Sequence, residues 1–147
     1  MTGNKELAKK RWQDRFYGPF RSAVAKDLEP VPADTSPIMQ AIQSIAVQHF
    51  IGDRTAALPK RLVIVSDLIE HEADYSQYRG DLTFDRFKKS SAYRKYRTDL
   101  NDAVVTIEYV QRQRPPIDGT AHVLFWRDWI TDNNGDFGSV QRLQGVN

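Results

Sequence analysis

Hydrophobic runs mark the strands of this chain. Four consecutive apolar residues at 62–65 end on Ser66 and Asp67, and a continuous apolar run of this length is typical of a strand buried on both faces of a parallel sheet. A second run at 103–110 has the same character, and a shorter one lies near the end of the chain. The pattern predicts strands over 61–67, 103–110 and 139–143.

Between these runs, apolar residues recur every three or four positions, the spacing of one face of a helix. Ser36 and Pro37 are residue types preferred at a helix N-cap and at the first helical position. The predicted helices are 5–28 with an interruption at Gly18-Pro19, 36–50, 82–99 with a break near Ser90-Ser91, and a last helix that Thr120 caps and Asn133-Asn134-Gly135 stops.

Helices that alternate with strands argue for parallel βαβ units with right-handed crossovers. The predicted fold class is therefore α/β, an open, mainly parallel sheet with helices on both faces. We expect a single domain over 1–147, in which 1–28 is a basic helical segment and 36–147 is the α/β core. A length of 147 residues and a hydrophobic content of 40% agree with a globular domain that buries a core.

Composition narrows the possible partners. The net charge is only +2, so bulk electrostatics do not impose a nucleic-acid or anionic-membrane partner. The chain has no cysteine, which excludes disulfides and thiolate metal sites and fits a reducing compartment. The N-terminus lacks the apolar region of a signal peptide, and the apolar runs are too short to span a bilayer. We expect a cytoplasmic protein with no membrane partner.

Two segments carry a resemblance to a known family. Thr35-Ser36-Pro37-Ile38-Met39-Gln40-Ala41-Ile42 opens a helix with two hydroxyls, and Leu62-Val63-Ile64-Val65-Ser66-Asp67 is a strand that ends on a carboxylate. Together they resemble the von Willebrand factor A-like fold, a Rossmann-like architecture. With Tyr78-Arg79-Gly80 and Phe125-Trp126, the chain is similar to a poorly characterised bacterial group of such proteins.

The first-strand motif of that family, Asp-x-Ser-x-Ser, occurs nowhere in the chain. The resemblance therefore implies a partial copy of the fold, its C-terminal part. Without the first strand, 61–67 would be an exposed apolar edge, which natural proteins avoid. We expect the N-terminal helices, a second copy in a homo-oligomer, or a missing N-terminal half to cover that edge.

The resemblance also implies a metal site. Ser36 matches the family's threonine position, with Thr35 as the neighbouring alternative, and Asp67 matches the aspartate that holds the ion through water. The expected ion is Mg²⁺ or Mn²⁺, a bridge to an acidic residue of the partner, and Mg²⁺ prefers oxygen ligands and keeps several waters. A structural interpretation stays open, in which Ser36 caps a helix and Asp67 accepts backbone donors at the strand end.

The acidic stretch after Asp67 is a second candidate site. It is expected to contact a protein partner through Glu70, His71, Glu72 and Asp74. With Asp67, the same groups could serve a two-metal hydrolase. Consecutive residues of a strand or loop point in different directions, so a solvated acidic loop is the favoured interpretation.

The segment 84–97 interleaves basic and aromatic residues, a pattern that can follow a phosphate backbone and stack bases. The candidate nucleic-acid contacts are Arg86, Lys88, Lys89, Arg94, Lys95 and Arg97. The aromatics Phe84 and Phe87, like Tyr93 and Tyr96, stand three residues apart, which favours an amphipathic helix pair with aromatics in the core and basic residues in water.

The sequence favours a non-enzymatic interaction module that binds an unidentified protein near Ser36, Asp67 and the acidic stretch. Association with nucleic acid through 84–97 is the first alternative, and a metal-dependent hydrolase is the second. The remaining histidines, His49 and His122, are interpreted as packing residues of helices.

Overall fold

A three-stranded parallel sheet organises the structure, a computed structural model that describes residues 3–19, 34–52, 57–112 and 116–144. The strands are β1 (Arg61–Ser66), β2 (Val104–Gln111) and β3 (Asp136–Gln144). They pair in the order β1-β2-β3, and both pairings are parallel. The predicted α/β class with a parallel sheet is confirmed.

Five α-helices lie within the described ranges. Helix α1 (Gly3–Trp12) continues into a π-helical turn, Gln13–Tyr17, and α2 (Ile38–Ile45) continues into another, Ala46–Phe50. The others are α3 (Phe84–Phe87), α4 (Ser91–Lys95) and α5 (Gly119–Asp132), with a 3₁₀ turn at Gln77–Arg79. The part of the predicted 5–28 helix beyond residue 19 lies outside the described residues.

One hydrophobic core joins the helices to the sheet. It contains Met39 and Ile42 of α2, Val105 and Ile107 of β2, and Trp126 and Trp129 of α5 among its buried residues. The crossover elements α3 and α5 meet through Phe87 and Phe125, whose ring centroids are 5.2 Å apart. Helices α2 to α5 thus share this core, while the placement of helices on both faces stays a prediction.

The prediction of a strand buried on both faces is wrong for β1. Leu62 is buried, but the next four residues of β1 are only partly buried, because β1 has one neighbour in the described sheet. This edge position agrees with the expected exposed edge. The Arg61 guanidinium lies 5.0 Å from the ring centroid of Trp12 in α1, so the N-terminal helix lies beside the start of β1.

Two predicted helix caps are corrected. Helix α2 begins at Ile38, and the Ser36 side chain does not cap it; the cap comes from the Glu70 carboxylate, which accepts from the Met39 N–H at 2.9 Å. Asp118 rather than Thr120 caps α5, accepting from Ala121 N–H at 2.8 Å. Two other predictions are confirmed: α5 ends before Asn134, a left-handed residue at φ 60°, and the break near Ser90 separates α3 from α4. The last strand is longer than predicted, since β3 begins at Asp136 rather than at residue 139, and α4 ends at Lys95 rather than at residue 99.

Candidate functional site

The carboxyl ends of the three strands meet at one edge of the sheet, where open α/β sheets bind ligands. A cleft of about 80 Å³ lies there, beside the start of α5. Its lining includes Asp67 and Ile69 after β1, Tyr109 and Arg112 at the end of β2, Gly119 at the start of α5, and Arg142 in β3. The parallel pairing of β1, β2 and β3 brings the strand-end residues together although they are distant in sequence.

Asp67 is held by an arginine in this cleft. Its Oδ2 accepts from Arg112 Nε at 2.7 Å and lies 2.5 Å from a terminal guanidinium nitrogen. Its Oδ1 accepts from the Ile69 N–H at 3.2 Å. The carboxylate thus stabilises the turn after β1 and holds the Arg112 side chain in place.

The other residues of the expected metal site are Ser36 and Thr35, on the segment before α2. Ser36 pairs through its backbone with His71, donating to the carbonyl at 2.8 Å and accepting from the N–H at 3.1 Å, and Thr35 is exposed. In the described part of the chain, no group of three or more His, Asp or Glu side chains could hold a metal ion. The Arg112 guanidinium already engages Asp67 Oδ2, so a metal ion at that oxygen would have to displace the arginine.

Arg142 contributes a second guanidinium to the cleft. A Cβ atom placed on Gly119 would lie 3.9 Å from its terminal nitrogen, so the cation stands at the N-terminus of α5, the positive end of the helix dipole. Across the described ranges, no carboxylate lies within ion-pair distance of Arg142. The cleft therefore carries two guanidinium groups against the one carboxylate of Asp67.

The turn after β1 holds a strained residue. Leu68 has φ 55°, a conformation that costs about 1–3 kcal/mol for a bulky side chain. Its N–H donates to Ser66 Oγ at 2.9 Å, and its carbonyl accepts from the Trp126 indole N–H at 2.8 Å. Its side chain is also buried in the core. Packing and hydrogen bonds fix the turn that places Asp67 in the cleft.

His122 lies below the cleft in a buried hydrogen-bond network. Its Nε2 lies 2.9 Å from the Leu68 carbonyl oxygen. Because a carbonyl oxygen only accepts, Nε2 carries the proton and donates. The other ring nitrogen, Nδ1, then accepts from Tyr109 Oη at 2.9 Å. Burial lowers its pKa from 6.5 to about 4, so the ring is neutral. The prediction that His122 is a packing residue is confirmed, since its side chain is buried. The sequence did not predict its hydrogen-bond network. The same prediction is wrong for His49, which is exposed.

Glu70 is fully buried, so the predicted solvated acidic loop is wrong at this position. Its Oε2 caps α2 through Met39 N–H, which draws the carboxyl inward. Burial is the main cause that raises its pKa from 4.5 to about 7, against the lowering effect of the bonds from Met39 and Ile38. A carboxyl group that titrates near neutrality thus supports the first turn of a core helix.

The other predicted contacts of the acidic stretch point in different directions, as their sequence spacing suggested. His71 Nδ1 is 2.8 Å from Ser76 Oγ, Glu72 is half-buried, and Asp74 forms an exposed ion pair with Lys95. The structure thus separates Glu70 from the exposed Asp74.

Gln77 joins the two buried titratable groups. Its Oε1 accepts from the Glu70 N–H at 2.9 Å and lies 2.9 Å from His122 Nε2. Close to this pair, the buried polar atoms without a hydrogen-bond partner in the described structure include Glu70 Oε1, Tyr75 Oη and Gln77 Nε2. Burial is the largest of the causes that raise the pKa of Tyr75 to about 12. Nothing in the local sequence distinguishes these residues from an ordinary polar loop.

The basic residues of 84–97 lie in water, and their aromatic neighbours belong to the core. All six candidate cations are exposed, whereas Phe87 and Tyr96 are buried and Phe84 and Tyr93 pack against the core. Several cations are paired with acids, such as Arg86 with Asp81 and Lys88 with Asp85. The amphipathic interpretation is confirmed for the aromatic rings, and nucleic-acid binding stays a prediction.

Comparisons with known proteins give no match, so any interpretation of function rests on the geometry of the site. The chain matches no protein-family model, no curated protein and no solved structure. None of the helices in the described segments has the length and apolar character needed to cross a membrane.

Proposed function

We propose that this chain is a non-enzymatic module that binds a protein partner at the carboxyl edge of its sheet. The observation that supports this most directly is the cleft in which Arg112 and Arg142 converge on the strand ends. Arginine and tyrosine are the residue types that contribute most often to binding energy at protein interfaces. A cleft at the strand ends with these side chains on one rim suits recognition.

Tyr78 extends this surface. It is 44% exposed, its ring packs edge-on against His71 with centroids 5.3 Å apart, and its side chain interacts with Arg112. A large aromatic side chain that is fixed on one side and exposed on the other loses little entropy when a partner covers it. Tyr78 and Arg112 are therefore the contacts from which we expect most of the binding energy.

We further propose that binding does not require a metal ion. A divalent ion at Asp67 would have to displace the Arg112 guanidinium, and both would compete for the same carboxylate oxygen. The same contact weakens the hydrolase alternative, which needs Asp67 as a metal ligand. Recognition by arginine gives the edge a positive contact that is independent of divalent ions.

Affinity capture with matched variants tests the proposal. The tagged chain is incubated with a nuclease-treated lysate of its source cells, in EDTA and in millimolar Mg²⁺. The site variant is Tyr78→Ala with Arg112→Ala. The control is Lys89→Ala with Arg94→Ala, two exposed cations of the 84–97 segment that form no ion pair within the described ranges.

We expect wild type and the control to retain the same protein in both buffers, and the site variant to lose it. Retention of that protein by the site variant would show that the carboxyl edge is not the binding surface. Loss in the control alone would move the interaction to 84–97, and loss in EDTA alone would restore a role for a divalent ion.

A further inference from the structure

The first strand of the sheet has an open edge. Strand β1 pairs with β2 alone in the described sheet, and the Val104 N–H donates to the Lys60 carbonyl at 2.9 Å. The N–H and C=O groups of one strand residue point to the same side, and the side alternates along the strand. The backbone groups of Arg61, Val63 and Val65 therefore point away from β2. Within the described ranges, they form no backbone hydrogen bond on that side.

Strand β1 has the composition of an inner strand. Residues 62–65 are all apolar, yet residues 63–66, which alternate between the two faces of the sheet, are only partly buried. In β2, by contrast, residues 105–109 are all buried. A further strand beside β1 would remove the apolar side chains of both faces from water, which is favourable.

The opposite edge of the sheet is protected. The register of β3 with β2 shifts between Val105 and Thr106 and leaves Gly138 as the additional residue of a bulge. The exposed Arg142 lies further along β3. Bulges and charged side chains are two of the devices that keep an edge strand from pairing with another chain. Residues 62–66 of β1, all of them described, have no bulge, no proline and no charge.

An antiparallel copy of β1 fits its open edge in a register that also matches charge. Outward backbone groups pair only with outward groups, so a two-fold axis must pass through a residue and not between two residues. With the axis at Ile64, Val63 and Val65 exchange both hydrogen bonds across the interface, and Arg61 lies opposite Asp67. An axis at Val63 or Val65 would instead place Arg61 opposite an apolar residue. The register through Ile64 thus pairs unlike charges at both ends of the interface.

We propose that β1 pairs antiparallel with β1 of a second copy of this chain, with the two-fold axis at Ile64. The two sheets then form one mixed sheet of six strands. Because the strands run in opposite directions, the two carboxyl-edge clefts lie at opposite ends of this sheet. The pairing does not depend on the proposed function, but it makes the module bivalent for a partner of that edge.

The charged groups at the ends keep their contacts within one chain. Asp67 Oδ2 is engaged by Arg112, and Oδ1 accepts from the Ile69 N–H at 3.2 Å, but a carboxylate has acceptor positions for further donors. The Arg61 guanidinium lies 5.0 Å from the ring centroid of Trp12, and a stacked guanidinium still offers N–H donors at its edge. The pairing therefore adds a contact between Arg61 and Asp67 of the two copies.

Sedimentation equilibrium of the chain over a dilution series tests the pairing. We expect the mass of two chains at high concentration and the mass of one chain on dilution. Val65→Pro removes an outward N–H but no hydrogen bond to β2, and proline is tolerated on an edge strand. Two-fold symmetry doubles the loss to two hydrogen bonds, so we expect the Kd of the dimer to rise at least about tenfold.

Two further variants separate the edge from the fold. Val65→Thr keeps the N–H and the β-branched shape and should associate as wild type does. Val63→Lys keeps every backbone group but introduces an edge lysine, which natural sheets use against such pairing, and it should dissociate as Val65→Pro does. Circular dichroism confirms that each variant is folded.

Charge reversal tests the register. Arg61→Glu places two carboxylates opposite each other at each end, and Asp67→Lys places two cations there, so each variant alone should associate weakly. In an equimolar mixture of the two variant chains, unlike charges face each other at both ends, and dimers should form again. A mixture of Arg61→Glu with Asp128→Lys, which changes an exposed pair outside β1, is the control and should not restore them.

The mass of one chain at every concentration would overturn the pairing. Association of both Val65→Pro and Val63→Lys at the wild-type Kd would show that the chains meet at another surface, which also overturns it. A mixture of Arg61→Glu and Asp67→Lys that associates no better than its control would overturn the register through Ile64. Recovery in that mixture alone would support both the antiparallel direction and the position of the axis.

Discussion

At the scale of single residues, Asp67 shows how one contact changes the chemistry of a site. A carboxylate at a strand end is a plausible metal ligand, but a guanidinium satisfies it in this fold. Its side chain is 20% exposed and that of Arg112 is 48% exposed, so the ion pair is partly screened by water. Its main effect is to fix the position of Arg112 in the cleft.

We predict that the melting temperature of wild type is the same in EDTA and in millimolar Mg²⁺ or Mn²⁺. Asp67→Ala should lower stability by about 1 kcal/mol in every buffer, because it removes a screened ion pair and the hydrogen bond from Ile69. Asp128→Ala, which removes an exposed pair with Arg127, is the control and should change little. A metal-dependent rise of the melting temperature in wild type that Asp67→Ala abolishes would mean that the ion displaces Arg112.

Single residues also show which contacts the sequence could not predict. The hydrophobic run predicted that Asp67 lies at the end of a strand. It could not predict the partner of Asp67, because Arg112 is 45 residues later in the sequence. Glu70 and Glu72 look alike in sequence, and only Glu70 turns inward, because the start of α2 offers it the N–H of Met39. Local sequence carries no signal for such a contact.

At the scale of elements, the hydrophobic periods located the strands and helices, whereas the caps depended on tertiary structure. The N-cap prediction for Ser36 failed because a carboxylate 31 residues from Met39 replaces it. The stop at Asn133-Asn134-Gly135 held because it is local: Asn134 accepts the left-handed conformation, and the chain then enters β3.

Gly135, in the turn between α5 and β3, gives a testable prediction about the packing of that turn. A Cβ atom there would lie 2.7 Å from Leu100 Cδ1, 2.8 Å from Ile130 Cγ2 and 3.1 Å from the Ile130 carbonyl oxygen. Leu100 and Ile130 are fully buried, so neither can move aside freely. We predict that Gly135→Ala lowers the free energy of unfolding in urea by about 1–3 kcal/mol.

Gly119→Ala is the matched control, since the nearest atom to its new Cβ is 3.9 Å away. It should be neutral or slightly stabilising, because alanine favours a helix over glycine by up to about 1 kcal/mol. Equal stability of Gly135→Ala and wild type would show that the turn between α5 and β3 adapts without cost.

At the scale of the whole molecule, the parallel topology brings together the residues of the cleft. Arg112 follows β2 and Arg142 lies in β3, and the two share no motif, so the alternation of helices and strands predicted the sheet edge but not the cations that meet there. The same topology buries Glu70 and His122 around Gln77. These two groups have opposite effects on stability as the pH changes.

Glu70 binds a proton more tightly in the folded chain, where its pKa is about 7 instead of 4.5. The contribution of Glu70 to the free energy of unfolding is fully present below pH 4.5. It is lost as the pH rises to 7, a change of about 3 kcal/mol. His122 has a folded pKa of about 4 instead of 6.5. Its contribution is present above pH 6.5 and is lost as the pH falls to 4, by about the same amount.

Between pH 4.5 and 6.5 the two slopes oppose each other, so their combined effect on wild type should be nearly flat. We predict that Glu70→Gln, which keeps a carbonyl oxygen for Met39, reveals a stability that rises with pH across this range. His122→Gln should reveal one that falls as the pH rises toward 7. Urea midpoints at four pH values measure the slopes, and subtracting wild type removes the titrations that all variants share.

The double variant, Glu70→Gln with His122→Gln, completes a double-mutant cycle on the free energy of unfolding. Independent groups would give additive changes, whereas a coupling through Gln77 would appear as a difference between the double change and the sum of the single ones. If both single variants followed the wild-type pH profile, burial would not be shifting the pKa of either group. Opposite slopes would instead show that the fold balances a buried acid against a buried base, which keeps the cleft above them stable across mildly acidic pH.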